Sequence, residues 1–229
     1  ARSAALEKQP GFKRWKIAIV VLLSQSLPML TSTDFRGLLN QRFFNNFLPV
    51  PATNQFTVGS FAPPFQLLNV TSGQRVKLRD YTGNTDPELE AWNRPVILAF
   101  TRIFTEKQYC PFCYPHIKAM NEAYSQFVHR GAEVLMITST DERQSKIVVR
   151  DLGLKMPLLS DPGCRVFRMY QVGQALGAPL PAQFVLDQTG RIRYRHLFSF
   201  LDPNASVGKL LDAIDRLPRW IHQNTAVAG

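Results

Sequence analysis

The chain has 229 residues, 45% hydrophobic and 19% charged, a composition that folds and excludes an intrinsically disordered chain. Net charge is +10, and a net +5 of it lies in residues 1–55, where seven Lys or Arg face only Glu7 and Asp34. Three cysteines exclude a stapled disulfide framework, and the absence of a basic stripe interleaved with aromatics argues against nucleic acid.

Lys13, Arg14 and Lys16 precede the uncharged run IAIVVLLSQSLPML, residues 17–30, the layout of a signal peptide or signal anchor. Its fourteen residues fall short of the roughly 20 that a spanning helix needs. Ser24, Gln25, Ser26 and Pro28 weaken its second half, and no clean small-x-small cleavage site follows. Thr33 is placed to cap a helix whose Phe35, Leu38, Leu39, Phe43, Phe44, Phe47 and Leu48 fall near helical spacing. Such a helix can lie in a membrane interface, pack on a partner or cover its own domain. Beside the basic, apolar run, residues 1–55 read as a membrane-associating extension, with the side of the membrane left open. A spanning helix would keep Lys13, Arg14 and Lys16 on the cytoplasmic side.

Residues 49–55, with two prolines, read as a linker. From Phe56 the pattern turns to short apolar runs alternating with helical stretches. Phe65–Val70 and Arg75–Leu78 flank the turn Thr71–Gln74 and predict a strand pair. Residues 87–94 are polar and predict a loop. Val96–Phe100 is continuously apolar, as in a buried central strand. Ile117, Met120, Tyr124 and Phe127 predict one helix, closed by Gly131. Val134–Thr138 predicts a second buried strand, Glu142–Leu152 a helix, and Ser160 or Asp161 the cap of a short helix reaching Tyr170. Gly173 to Gly177 reads as a loop and not a dinucleotide fingerprint. Ala182–Leu186 and Ile192–His196 flank Asp187–Gly190, a strong hairpin signal. Asp202-Pro203 opens a last helix to about Leu217, which leaves 218–229 as a tail. The plan is α/β, a central mixed sheet flanked by helices over residues 56–217.

Within it, Cys110 and Cys113 of TEKQYCPFCYPH stand two residues apart. Zinc needs about four ligands, and Cys110, Cys113 and His116 offer three with Cys164 an uncertain fourth. Covalent haem needs C-x-x-C-H, and Tyr114 holds the His position. Buried structural thiols and a redox dithiol remain. A CxxC after a buried strand and at a helix start sets the first sulfur near unpaired N–H groups that stabilise a thiolate. The second thiol can then attack a mixed disulfide. Pro115 is the feature that could displace the helix start away from Cys110.

These segments resemble, in order, the thioredoxin-fold redoxins of the peroxiredoxin-like AhpC/TSA superfamily. They are Gly59–Phe65, the strand ending Phe100-Thr101-Arg102, the CPFC helix start, Leu159-Ser160-Asp161, and Leu180-Pro181 running into Asp187 and Gly190. The resemblance implies a thioredoxin-like fold in which Pro181 is a cis-proline facing the pair, with the Leu180 backbone free to pair with a substrate chain. It also implies, for the peroxidases, a Pro-x-x-x-Thr-x-x-Cys loop and a distant arginine. Thr105 stands five residues before Cys110 instead of three, and Leu180-Pro181-Ala182 occupies the arginine's place. Arg102, Lys107 and Arg193 are nearby cations. His116 either raises thiolate character or serves packing. Cys164 is a second resolving thiol or an isolated one.

The sequence therefore predicts a thiol–disulfide oxidoreductase cycling Cys110 as nucleophile against Cys113 as resolver, with Leu180-Pro181 guiding substrate. It calls for no metal or organic cofactor, only a thiol electron donor such as a thioredoxin-like protein. The alternatives are a thiol peroxidase acting on hydroperoxides through Cys110, and an accessory subunit of a membrane complex that uses the fold as scaffold.

Overall fold

The computed structural model describes residues 38–53, 55–90 and 92–218, so the apolar run at 17–30, Thr33 and the C-terminal tail lie outside the described residues. One seven-stranded mixed sheet organises the rest. Its strands are β1 (Gln66–Asn69), β2 (Gln74–Lys77), β3 (Val96–Thr101), β6 (Glu133–Thr138), β7 (Leu158–Ser160), β10 (Ala182–Leu186) and β11 (Ile192–Leu197). They lie in the order β11-β10-β3-β6-β7-β1-β2, with β3, β6 and β7 parallel and the other pairs antiparallel.

Because side chains alternate across a strand, the apolar run of β3 feeds two cores at once. Val96, Leu98 and Phe100 point to one face with Phe184 and Ile137; Ile97 and Ala99 point to the other with Val134 and Met136. On the first face, Phe100 packs 5.1 Å from the rings of Phe167 and Tyr170, supplied by α6 (Arg165–Met169) and the residue after it. The Tyr170 hydroxyl donates to the Pro63 carbonyl (2.9 Å), which ties the Gly59–Phe65 segment to this core. The second face is covered by α3 (Cys113–Glu122), α4 (Tyr124–His129), α5 (Glu142–Leu152) and α7 (Val207–Asp215), through Ile117, Met120, Phe127, Val148, Leu210 and Ile214. Each of these large side chains contributes about 1.5–3 kcal/mol by leaving water.

Local chemistry sets the helix ends. The Asp141 carboxylate accepts from the Gln144 N–H (2.8 Å) and Gly153 closes α5 in the left-handed region. The Asp161 carboxylate accepts from the N–H groups of Arg165, Val166 and Phe167, so it caps α6 from ahead of Cys164. Ser206 caps α7, which therefore starts four residues later than Asp202-Pro203 suggests.

Several expectations change. The single helix expected from Ile117, Met120, Tyr124 and Phe127 breaks at Ala123 into α3 and α4. Pro87–Glu90 is a short helix, α2, where a loop was expected. Gly173–Gly177 belongs to a hairpin of β8 (Gln174–Ala175) and β9 (Ala178–Pro179). In the Phe-rich segment only α1 (Gln41–Asn45) is helical among the described residues, capped by the Asn40 side chain on Phe43 N (3.0 Å).

Residues 49–53 are not a free linker. Val50 exchanges hydrogen bonds with Gln174 at 2.8 Å each way, and the Thr53 N–H donates to the Gln171 carbonyl (3.1 Å). The segment is anchored because β8 presents an open edge that backbone groups at 46–53 can satisfy. The described part of the proposed extension is thus packed on the domain.

Candidate active site

Arg102 follows β3, and the stretch to the cysteines folds back as a small hairpin, β4 (Ile103–Thr105) with β5 (Gln108–Tyr109). Ile103 is fully buried and roots it. The hairpin returns Cys110 to Arg102, whose carbonyl accepts the Cys110 N–H (3.3 Å). The Cys110 carbonyl then accepts from Cys113 and Tyr114, both at 2.9 Å, and α3 begins at Cys113. Pro115 falls inside the first turn, where its missing N–H costs nothing, so it does not displace the helix start. The rings of Tyr109 and Tyr114 meet edge to face 5.3 Å apart across the pair.

Both thiols are free, with Cys110 4% exposed and Cys113 fully enclosed. The Cys113 thiol donates to the Cys110 sulfur, and this hydrogen bond lowers the Cys110 pKa most. Burial opposes it, while the Arg102 guanidinium and the N–H groups of Phe112 and Cys113 assist, for a value of about 6. Cys113 is pushed up well above the ordinary thiol range by holding the proton for Cys110 and by its own burial. The arrangement separates a ready thiolate from a buried thiol in reserve.

Arg102 is 8% exposed. Its Nη2 donates to the carbonyls of Ala175 and Leu176 (3.2 Å for the latter), and its guanidinium lies 4.6 Å over the Phe104 ring. The structure thus brings Arg102 to the pair. It does not bring Thr105 into a peroxide-binding pose: its hydroxyl accepts from the Lys107 N–H (3.2 Å) at the hairpin turn. Arg193 pairs with Asp187 (2.6 Å) at the β10–β11 turn.

His116 is engaged by the loop at Ala205. Its Nε2 is 3.0 Å from the Ala205 carbonyl, and burial pushes its pKa down to about 4, so it is a neutral packing residue at neutral pH. Cys164 is buried in the core at the start of α6, with the Asn46 amide 3.8 Å from its sulfur. Burial first, then Asp161, pushes its pKa up to about 11. A cavity lined by Asn46, Pro51, Cys164 and Phe167 lies over this thiol and not over the CPFC pair.

Pro181 needs correction. Among the described residues no peptide bond is cis, so the Leu180–Pro181 bond is trans. The Leu180 N–H is already committed to the Gly173 carbonyl (3.0 Å) of the β8–β9 hairpin, and an extended trans bond carries the chain from β9 straight into β10. The Leu180 N–H is therefore already taken and is not open to a substrate chain. The register of Ala182 opposite Phe100 still sets buried Pro181 at the end of β3 from which the cysteine loop departs.

Sequence reading missed the residues that hold this site from outside. Asn204 donates to the Phe112 carbonyl (3.0 Å) and accepts from Gln183 (2.9 Å), which fixes the 204–205 loop against CPFC. Arg42 donates to the carbonyls of Phe104 and Ser139.

Residues 58–195, more than half the chain, match the AhpC/TSA family. The chain belongs to that family. Over 82% of its length it is 26% identical to chloroplastic peroxiredoxin Q of Triticum aestivum, covering 84% of that protein. It is 30% identical over 149 residues to the thiol-disulfide oxidoreductase ResA of Geobacillus kaustophilus, covering 62% of this chain and 73% of that one. Against ResA of Bacillus cereus, at 26% identity, the match spans 66% of the relative's length. Among solved structures, peroxidoxin BcpB of Mycobacterium tuberculosis superposes with a TM-score of 0.58 at 18% identity, covering 72% of this chain and all of that one. A DsbE-type thiol:disulfide interchange protein of Chlorobium tepidum gives 0.52 at 23%, covering 70% and 99%. These structures establish the thioredoxin-like fold; the family establishes a redoxin-type thiol oxidoreductase.

Proposed function

We propose that the protein is a thiol–disulfide oxidoreductase that reduces a protein disulfide through Cys110 and Cys113. The observation that carries this reading is the pair of free, buried thiols joined through the Cys113 N–H on the Cys110 carbonyl (2.9 Å) at the start of α3, with the Cys110 pKa lowered and that of Cys113 raised. The Cys110 thiolate attacks one sulfur of the substrate disulfide, forming a mixed disulfide and releasing one substrate thiolate. Cys113 then loses its proton and attacks the Cys110 sulfur, closing the Cys110–Cys113 disulfide and releasing the second thiolate. Two electrons pass to the substrate, and a thioredoxin-like dithiol donor returns the pair to the reduced state. Exposed Phe112, inside CPFC, and the Leu180 carbonyl offer the substrate chain its first contacts. Turnover of insulin disulfides by the reduced protein tests the reading. Cys110→Ser abolishes it, and Cys113→Ser accumulates a mixed disulfide at Cys110. Undiminished turnover in Cys110→Ser would remove the reading.

A second reading, thiol peroxidase, is favoured by one observation: at 4% exposure Cys110 is more open to a small hydroperoxide than to a bulky chain. The thiolate would take the distal peroxide oxygen as a sulfenic acid and release an alcohol, and Cys113 would condense with it, releasing water. Failure of the reduced protein to react with excess hydroperoxide removes this alternative.

We further propose that residues 1–48 attach the domain to an anionic membrane surface. Support comes from the basic residues before the run at 17–30, and from Leu39, Phe44 and Leu48, whose side chains are 63%, 64% and 72% exposed on the described segment. Among the described residues no helix is long and apolar enough to cross a membrane. Flotation with vesicles containing phosphatidylserine tests attachment; recovery only in the soluble fraction overturns it.

A further inference from the structure

The Arg102 guanidinium beside Cys110 rests on two supports, the Phe104 ring and the carbonyls of Ala175 and Leu176 in the β8–β9 hairpin. Both supports are themselves gripped from behind by residues 42–50. Arg42 donates through Nη2 to the Phe104 carbonyl and through Nη1 to the Ser139 carbonyl just past β6. The hairpin donates hydrogen bonds to the same segment: Leu176 N–H to the Phe47 carbonyl and Gly177 N–H to the Asn46 carbonyl, both at 3.0 Å. The Phe43 ring covers Gly177. The family match begins only at residue 58, so this brace lies outside the matched region, although it belongs to the same compact unit as the thiols.

Sinking a guanidinium into a protein costs several kcal/mol unless its donors are satisfied. Arg42 accepts that cost with its Nε buried and without a partner among the described residues. Burial pushes its pKa down, while Cys164 and Asp141 face it electrostatically. Five donors in a rigid planar fork can bridge two carbonyls at a fixed angle, which a lysine cannot do. The geometry of the arginine therefore matters more than its charge.

We propose that Arg42 is a positioning residue for the redox pair: bridging Phe104 and Ser139, it holds the Phe104 loop against Arg102 and so keeps the Arg102 guanidinium on Cys110. It acts through Arg102 and not on substrate. The proposal rests on the reading of Cys110 as the reactive thiol. Its consequence is that a residue inside the segment proposed to attach to a membrane sets the reactivity of Cys110.

The test is the rate of Cys110 alkylation by iodoacetamide as a function of pH, on the reduced full chain, with urea unfolding measured in parallel. The Cys110 sulfur faces Cys113 and Arg102, so a change in its midpoint reports on those two neighbours. Arg42→Met raises the midpoint by about one unit, less than loss of Arg102 itself does. Arg42→Lys, which keeps the charge but lacks the planar fork, gives a smaller rise. Arg42→Met combined with Arg102→Met shifts no further than Arg102→Met alone. A folded Arg42→Met protein with reduced stability and an unchanged midpoint overturns the proposal, as does full additivity in the double variant. If Arg42→Met does not fold, Arg42→Lys decides: a raised midpoint supports the proposal and an unmoved one overturns it. Alkylation does not depend on turnover, so loss of the oxidoreductase reading in the insulin assay leaves this result distinguishable.

Discussion

The Phe43 ring occupies the space that a side chain at Gly177 would need. Two chain segments far apart in sequence are thereby fitted to each other through an absence. Gly177 also holds φ +85°, a region that side-chain-bearing residues seldom adopt. Gly177→Ala must displace the ring and strain the turn together. The expected loss is about 2–4 kcal/mol, from overpacking and backbone strain combined. Urea titration measures it. A loss under about 0.5 kcal/mol, the range of an ordinary surface substitution, would mean that the ring is not seated there in solution.

The three cysteines should separate by reactivity. With the Cys110 pKa lowered to about 6 and that of Cys164 raised to about 11, iodoacetamide at neutral pH labels Cys110 first and leaves Cys164 untouched. Cys113, enclosed and holding its proton, follows slowly. Peptide mapping after timed quenching resolves the order. Early labelling of Cys164 in the native state would contradict the burial that raises its pKa.

Arg102→Met keeps the length and the packing on Phe104 while removing the charge. A cation stabilises the thiolate, so its removal raises the Cys110 midpoint above about 6, by about 1–3 units for an opposite charge at close range. At mildly acidic pH the variant should alkylate several-fold more slowly than wild type and converge with it in alkali. Equal rates across the whole range would show that the cation does not act on Cys110.

Much of this architecture was legible in the chain because the relevant physics is local. The apolar runs of β3 and β6 read as strands buried on both faces, and the helix expected over Glu142–Leu152 is α5. The turn Asp187–Gly190 names its own hairpin. The CPFC pair announced its chemistry through spacing and position. What stayed hidden depends on contacts across the chain. Arg42 meets Phe104 and Ser139, 62 and 97 residues away, and nothing in its neighbourhood of phenylalanines points there. The strands of β4–β5 and β8–β9 are two or three residues long, too short to show a period. The Leu180 N–H finds its partner in the Gly173 carbonyl, a tertiary contact that the local sequence does not announce.

Acid should weaken the fold in two separate windows. His116 is held with a pKa of about 4, against an ordinary 6.5, because burial disfavours its charged form. Between those values the unfolded chain binds the proton and the native protein does not, so stability rises with pH across that interval. His116→Gln removes this slope while Gln can still donate to the Ala205 carbonyl. Asp187 acts lower. Burial alone would raise its pKa, but hydrogen bonds from Thr189 and the Arg191 N–H, together with Arg193, outweigh it and hold the carboxyl below its ordinary 3.8. Its stabilisation is present above that ordinary value and is lost as pH falls through the native one. Asp187→Asn should cost roughly 1–2 kcal/mol at neutral pH, allowing for the partly exposed Arg193, and the gap to wild type should close in strong acid. Urea midpoints for both variants, followed from neutral pH down to about pH 3, separate the two groups. A His116→Gln protein that keeps the wild-type slope between 4 and 6.5 would place that proton uptake on another residue.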